Sequence, residues 1–130
     1  MPKFSKTSLE RLNTCHHLLQ TLMKRVVERT DITVLCGHRS QEEQNVAFAK
    51  GASRLMWPLS HHNVQPATAV DVAPWPIAWN DISRFKDMAE VVIEEWCEME
   101  VAGLSEGYLL EWGGSWKGFK DFPHFQLVRR

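Results

Sequence analysis

Two clusters of polar side chains, far apart along the chain, combine residue types that bind metals and move protons. The first cluster runs from Ser60 to His62, and Asp71 follows it within the apolar segment AVDVA. The second cluster runs from Asp121 to His124, at the start of the apolar segment HFQLV. An aspartate inside an apolar strand is costly unless it is paired or binds a cation. The position of Asp71 therefore indicates a partner for its charge.

Two histidines and one carboxylate are a common set of catalytic zinc ligands, and His62, Asp71 and His124 supply that set. Such a set leaves a fourth position for water or substrate, and bound zinc lowers the pKa of that water towards ~7. A free carboxylate must then take and return a proton, and Asp121 lies close before His124 in the sequence. Residue type and spacing alone leave open a surface hydrogen bond or a satisfied pair in the core.

Hydrophobic periodicity and helix-start patterns predict the elements that must position these residues. Helices are expected at residues 8–29, 41–49 and about 82–100. Capping boxes, Thr7 with Glu10 and Ser40 with Glu43, predict the first two helix starts. Short apolar runs rich in β-branched and aromatic residues predict strands at residues 32–36, 69–73, 108–112 and 124–128.

The order of these elements predicts an α+β fold, in which helices pack against one face of a small, mostly antiparallel sheet. Residues 50–68 contain glycine, proline and polar residues without periodicity, which predicts a long loop. A loop of this length in a compact domain is usually functional. This loop carries the segment from Ser60 to His62, so we expect it to lie over the site.

Five short motifs occur along the chain in a fixed order. They are Gly37-x-Arg39-Ser40 with Gln44, Ser60-x-His62, Ala69-x-Asp71, Trp112-Gly113-Gly114-Ser115-Trp116 and Asp121-x-x-His124. This order resembles the zinc D,D-carboxypeptidase and L-alanyl-D-glutamate endopeptidase family, especially its short phage endolysins. The resemblance covers about residues 30 to 128 and implies a hedgehog/D,D-peptidase-like fold, with residues 1–130 forming one zinc peptidase domain.

The resemblance implies a role for each matching position. His62, Asp71 and His124 would bind Zn²⁺, and Asp121 would act as general base and acid. Arg39 would stabilise the developing oxyanion or hold a substrate carboxylate, a task suited to a planar guanidinium. Four further residues are assigned to substrate binding or to the wall of the groove: Ser60, Gln44, Trp112 and Trp116.

The substrate implied by the resemblance is the stem peptide of bacterial peptidoglycan, cut between L-alanine and D-glutamate. Removal of terminal D-alanine by a D,D-carboxypeptidase and a non-catalytic, zinc-containing wall-binding module remain the alternatives. Compared with many family members, the gap between His62 and Asp71 is long, and the base at position 121 is aspartate where others have glutamate. A Cys–His protease built on Cys36 is a further alternative from the residues alone, as is His61 in place of His62 as a ligand.

Composition limits the remaining possibilities. The 130 residues have a formal net charge of −1, which does not favour nucleic-acid binding or stable association with an anionic membrane. The three cysteines lack paired spacing, which fits reduced thiols in the cytosol. The first residues lack a segment typical of a signal peptide. We therefore expect a monomer that stays in the host cytoplasm until a separate pore-forming protein releases it to the cell wall.

Overall fold

The computed structural model describes residues 2–130 and has the expected α+β fold. Within these residues the helices are α1 (Lys6–Leu12), α2 (His17–Val27), α3 (Gln41–Ala49) and α4 (Ile82–Val101). The strands are β1 (Ile32–Cys36), β2 (Ala69–Pro74), β3 (Tyr108–Trp112) and β4 (His124–Arg129), and a 3₁₀ helix spans Gly113–Ser115. Across the same residues, no helix combines the length and the apolar character that crossing a membrane requires.

The four strands form one sheet in the order β1-β2-β4-β3, and every neighbouring pair is antiparallel. Successive side chains of a strand point to opposite faces, so a strand with one covered face alternates between buried and accessible residues. Val70 and Val72 of β2 and Phe125 and Leu127 of β4 are buried in the core. The intervening Asp71, together with the even-numbered positions of β4, belongs to the other face of the sheet.

The core lies between the sheet and the helices. Helix α4 contacts β2 and β3, α2 packs on α4, and α1 packs on β1. Leu19 and Leu22 of α2 and Phe85 and Val92 of α4 have almost no exposed surface. Burying each such side chain contributes about 1.5–3 kcal/mol. The resulting core holds the covered face of the sheet in place, so the strands present the polar residues on their other face in a defined register.

The predicted strands and the second and third helices are confirmed, with ends that differ by one residue at most. The capping box at Ser40 is also confirmed, because Ser40 Oγ accepts from the Glu43 backbone and the Glu43 carboxylate accepts from the Ser40 backbone. Asp81 caps α4, because its side chain accepts from the Arg84 backbone N–H. These features depend on interactions between residues close in sequence, which explains why the pattern predicts them.

The single helix predicted over residues 8–29 is wrong, because two helices occupy that range. The capping box at Thr7 is also wrong, since Ser5 Oγ accepts from the Ser8 backbone and caps α1 two residues earlier. Helix α2 starts at His16, whose Nδ1 accepts from the Leu18 backbone N–H. Apolar residues nevertheless keep a helical spacing across the break between α1 and α2, because both helices turn their apolar sides to the same core.

Pairing with a distant segment interrupts the helix. Cys15 and Ala67 form an isolated parallel bridge. The backbone N–H of His16 donates to Ala67 O at 2.8 Å, and the N–H of Ala67 donates to Thr14 O at 3.0 Å. The chain therefore leaves the helical path at residues 13–16 and runs beside the end of the long loop. The bridge holds the loop close to β2, near the point where the chain enters that strand.

Two ion pairs to the buried Glu95 of α4 come from Arg25 of α2 and from Arg29, which follows that helix. Glu95 is only 7% exposed, and its two carboxylate oxygens accept from Arg25 Nε and Arg29 Nη1, each at 2.9 Å. Burial opposes the ionisation of Glu95, but the hydrogen bonds from Arg29 and Arg25 outweigh it and lower the pKa of this carboxyl. Because the folded-state pKa lies below the ordinary value of 4.5, ionised Glu95 stabilises the fold above that pH and this contribution is lost as the pH falls.

We expect Glu95→Gln to lower the free energy of unfolding by about 1–2 kcal/mol near neutral pH, because two guanidinium groups lose a charged acceptor. Urea unfolding of the variant and the original chain at neutral and acidic pH measures this difference. The difference should shrink as the pH falls through the acidic range. Glu90→Gln, an exposed position on the same helix, is the control and should change stability little. Equal stabilities at neutral pH would contradict the assignment.

Candidate active site

The buried carboxylate of Asp71 is the centre of a cluster on the accessible face of the sheet. Asp71 of β2 lies directly opposite His124 of β4 in the antiparallel register. Its Oδ1 lies 3.1 Å from His124 Nδ1 and 3.2 Å from His62 Nε2. The two imidazole ring centroids are 5.1 Å apart. The structure therefore brings together the three side chains that the sequence pattern selected as ligands.

His62 is held by the backbone around it. Its Nδ1 lies 2.7 Å from Gly37 O, an atom that only accepts, so Nδ1 carries a proton and Nε2 is the ring nitrogen that faces Asp71. Ser60 Oγ accepts from the His62 backbone N–H at 3.1 Å, and the Arg39 backbone N–H donates to His62 O at 2.7 Å. The residue between Ser60 and His62, His61, instead faces Thr68 Oγ1 at 3.0 Å. The ring selected by the motif is thus the one directed at the carboxylate.

The donor atoms fit a divalent cation. His124 Nε2 lies 2.7 Å from Gln126 Oε1, so the other ring nitrogen, Nδ1, is free to face Asp71. Two imidazole lone pairs and a carboxylate then face one point, where either protons or a cation must offset their mutual repulsion. Among the described residues, three sets of side chains have ligand atoms within 4.8 Å of one another, and the two sets that contain Asp71 each include one of these histidines. These sets are Cys36 with His62 and Asp71, and Asp71 with Asp121 and His124.

The electrostatics of the cluster favour positive charge at its centre. Burial disfavours protonation of His62, but the charge and hydrogen bond of Asp71 outweigh it and raise the pKa of His62 to about 10. Burial likewise disfavours the ionised form of Asp71, yet the imidazoles of His62 and His124 lower the pKa of its carboxyl well below its usual range. The carboxylate therefore stays ionised at neutral pH. A proton on His62 competes with a metal ion for the same place.

Asp121 stands beside this centre without being part of the His–Asp–His contacts. Its Oδ2 lies 4.0 Å from His124 Nδ1, and its backbone N–H donates to Gly113 O at 3.0 Å. Burial and then the negative charge of Asp71 raise the pKa of Asp121. A carboxyl whose pKa is raised towards neutrality is better suited to exchange protons with a reacting group.

Arg39 approaches the cluster from the side of α3. Its Nη2 lies 3.6 Å from Asp71 Oδ2, and its Nη1 donates to Gln44 Oε1 at 2.9 Å. The Gln44 side-chain amide in turn donates to Ser53 Oγ at 2.9 Å and to Leu55 O at 2.6 Å. Gln44 thus links the arginine to the long loop and fixes the direction of the guanidinium.

Two of the residues predicted to bind substrate have other roles in this structure. Gln44 has no exposed surface and all its polar atoms are bonded, so it supports Arg39 rather than contacting a ligand. Trp112 lies behind the site, where its Nε1 donates to Phe122 O at 2.8 Å and its ring stacks on Phe125. Neither side chain lines the cleft, because Gln44 is buried and Trp112 packs on Phe125 behind the site.

A cleft of about 430 Å³ opens over the cluster. Trp116 forms part of its wall, with its ring centroid 5.1 Å from that of His124. Ser60 lies at the edge of the cleft, with its hydroxyl engaged by the His62 backbone. Arg54 and Phe119, which the sequence motifs did not select, reach the cleft from opposite loops, and the guanidinium lies 4.8 Å from the ring centroid.

The Cys–His alternative lacks the geometry it needs. Cys36 Sγ lies 3.8 Å from His62 Nδ1, but that nitrogen directs its proton at Gly37 O and cannot take the thiol proton. Gln126 is a functional candidate that the sequence motifs missed, and Gly113 lies within one motif but was assigned no role. Gln126 lies two residues after His124 in a strand, and this spacing alone would have placed both side chains on one face.

Gly113 makes room for the two residues that complete the site. A Cβ at this position would collide with the backbone oxygen and Cβ of Asp121 and would crowd His124 Cβ. The backbone O of Gly113 also accepts from Asp121 N–H, so the glycine sets both the distance and the direction of the Asp121 loop. No side chain other than hydrogen fits without moving Asp121 or His124.

An antiparallel α+β fold that gathers two histidines and two carboxylates at one cleft defines a candidate metallohydrolase. Comparison with known proteins narrows this class. The family model for phage L-alanyl-D-glutamate peptidase matches residues 1–128, and the chain belongs to this family. The match confirms the L-alanyl-D-glutamate peptidase part of the resemblance found in the sequence.

Two relatives from bacteria agree with the family. The chain is 28% identical over 109 residues to the peptidoglycan L-alanyl-D-glutamate endopeptidase CwlK of Bacillus subtilis (strain 168). That match covers 75% of this chain and 61% of CwlK, so the chain spans about three-fifths of this relative's length. The crystal structure of the Serratia marcescens L-Ala D-Glu endopeptidase ChiX aligns with a TM-score of 0.78 at 28% identity, covering 98% of this chain and 91% of that one.

We expect Gly113→Ala to reduce hydrolytic activity by about 10²-fold, because a displacement of roughly 1 Å at reacting groups can cost that much. Turnover of wall peptides, together with circular dichroism to check folding, measures the effect. Gly118→Ala is the matched control in the same loop: its Cβ would meet no atom within 4 Å, although its φ of +77° makes alanine mildly strained. Equal losses in both variants would show that the steric argument at Gly113 is wrong.

Proposed function

We propose that this chain hydrolyses the amide bond between L-alanine and D-glutamate in peptidoglycan stem peptides, with one zinc ion. The observation that carries the proposal is the convergence of His62, Asp71 and His124 beside Asp121 in one cleft of a phage L-alanyl-D-glutamate peptidase. The similarity to CwlK and ChiX, both L-alanyl-D-glutamate endopeptidases, supports the substrate class. A wall-binding module would have no need for the second carboxylate or for the held guanidinium.

Zinc is the metal that the donor set supports best. Two imidazole nitrogens and one carboxylate oxygen are typical of catalytic zinc sites with three protein ligands. His62 Nε2, His124 Nδ1 and Asp71 Oδ1 would hold the ion. When bound, zinc supplies a Lewis acid for the scissile carbonyl and makes water more acidic. Gly37 O accepts from His62, and Gln126 Oε1 lies next to His124 Nε2. These two acceptors keep both rings in the orientation that zinc binding needs.

Asp121 performs the proton transfers in the proposed mechanism. Its carboxylate accepts a proton from the attacking water and returns it to the amine of the departing D-glutamate. The raised pKa of Asp121 favours the first step, because a carboxylate with a raised pKa is a stronger base. Its distance of 4.0 Å from His124 Nδ1 leaves it adjacent to the ligand set and available to the substrate.

Arg39 stabilises negative charge in the same reaction. Its guanidinium lines the cleft and is held by Gln44, so its N–H donors are positioned before substrate binds. Preorganised donors of this kind favour the charge that develops on the carbonyl oxygen in the transition state. Trp116 and Ser60 would border the bound stem peptide. In the proposed function, residues 1–130 act as one monomeric domain, which stays in the host cytoplasm until another protein opens the membrane.

Digestion of purified peptidoglycan followed by mass analysis tests the substrate and the bond. A new N-terminal D-glutamate is expected, chelation should stop its release, and added zinc should restore it. Loss of single terminal alanines would identify a D,D-carboxypeptidase instead. Zinc binding without any new peptide ends would identify a non-catalytic module.

We expect Asp121→Asn to lower turnover by about 10²–10⁴-fold, the range that general acid–base catalysis contributes. Zinc affinity, measured by competition with a coloured chelator, should stay within a few-fold of the original because Asp121 is not a ligand in the proposed set. His62→Ala is the comparison variant and should lose zinc as well as activity. A large loss of zinc affinity in Asp121→Asn would make Asp121 a ligand and remove it from the role of base.

A further inference from the structure

A chain of three polar side chains runs across β4 and β3 on the accessible face of the sheet. His124 Nε2 and Gln126 Oε1 are 2.7 Å apart, and Gln126 Nε2 donates to Glu111 Oε1 at 3.1 Å. Gln126 follows His124 by two residues in β4, so both side chains share one face. Glu111 of β3 lies directly opposite Gln126 in the antiparallel register. The sheet therefore sets the order of the three groups.

The hydrogen-bonding types of Glu111 and Gln126 decide which atom faces His124 Nε2. An ionised carboxylate is only an acceptor, so the amide NH₂ of Gln126 must face Glu111. The amide oxygen of Gln126 then faces His124 and needs a donor, which places a ring proton on Nε2. His124 Nδ1, the atom 3.1 Å from Asp71 Oδ1, is consequently the ring nitrogen left to bind a metal ion. The charge of Glu111, on the accessible face of the sheet, thus determines which ring nitrogen of His124 faces the ligand set.

We propose that Glu111, acting through Gln126, is a positioning residue that fixes the tautomer and the ring orientation of His124 for metal binding. The metal part of this inference rests on the proposed zinc-dependent function, whereas the tautomer part concerns the protein alone. Glu111 is exposed on a strand at the sheet edge, so packing does not explain this contact. Groups that accept the second ring proton of a metal-binding histidine typically change metal affinity by 10–100-fold when they are removed.

His62 shows why His124 needs such a chain. The second nitrogen of His62 meets a backbone carbonyl, Gly37 O, which can never act as a donor. The second nitrogen of His124 meets an amide side chain, which can turn over and present NH₂ instead of oxygen. Only the acceptor at Glu111 removes that ambiguity. A backbone carbonyl therefore fixes the proton on the second ring nitrogen of His62. The pair Gln126 and Glu111, which we call the relay, does the same for His124.

Three variants separate the relay from a general effect on stability. Glu111→Gln leaves the amide of Gln126 free to take either orientation, and Gln126→Leu removes the acceptor altogether. The exchange variant, Gln126→Glu combined with Glu111→Gln, puts an acceptor-only group next to His124 and a donor behind it. Glu90→Gln on α4 removes the same charge from an exposed position and serves as the control.

Two measurements on the whole chain are needed. Long-range ¹H–¹⁵N spectra of the histidine side chains, recorded after chelation and in mildly basic buffer, report the tautomer of His124 without using activity. Competition with a coloured chelator reports zinc affinity. We expect a proton on His124 Nε2 in the original chain and only partial protonation of that nitrogen in Glu111→Gln, with a fall in zinc affinity of roughly tenfold for that variant and 10–100-fold for Gln126→Leu. The exchange variant should regain the Nε2–H form and most of the affinity, and Glu90→Gln should match the original chain.

The outcomes distinguish this inference from the proposed function. An unchanged tautomer and unchanged zinc affinity in Glu111→Gln would overturn the relay, and so would an exchange variant that behaves like Gln126→Leu. Should Gln126→Leu fail to fold, Glu111→Gln still decides the question because its side chain is exposed. If the original chain does not bind zinc, the proposed function fails, while the spectra still establish whether Glu111 sets the tautomer.

Discussion

The burial of one carboxylate, Asp71, in the middle of a central strand is the constraint on which the site depends. A buried charge without a partner would cost several kcal/mol, about 3–5 kcal/mol when a buried pair is broken. The fold meets that cost by directing the imidazoles of His62 and His124 at one oxygen of the carboxylate. The long loop must come down over β2 to supply His62, and its bridge to the segment before α2 holds it there. The same negative centre that requires these partners also attracts a cation.

The antiparallel sheet acts as the positioning device for the rest of the chemistry. Register places His124 opposite Asp71 and Glu111 opposite Gln126, so a ligand and its supporting groups follow from strand pairing. The covered face of the same strands packs Phe125 and Leu127 into the core. Stability and function are therefore separated by the alternation of side chains along a strand. A shift of register by one residue would exchange the two faces and lose both.

Sequence patterns predicted most of the fold because helices and strands leave local traces. The capping box at Ser40 and the four apolar strand segments were found in this way. The break between α1 and α2 was missed, because the contact that opens the helix comes from Ala67, which is remote in sequence. Motif positions also located the cluster around Asp71, but they assigned Gln44 to substrate when burial makes it a support for Arg39.

The sequence by itself determined which segments form helices and strands and which residue types are available for metal and proton chemistry. These properties rest on side-chain chemistry and on contacts within a few residues. Only the tertiary structure decided that His62 Nε2 and His124 Nδ1 face the same oxygen, that Gly113 must lack a side chain and that Glu111 lies behind Gln126. These relations depend on strand order, register and the path of the long loop, because they join atoms that are distant along the chain.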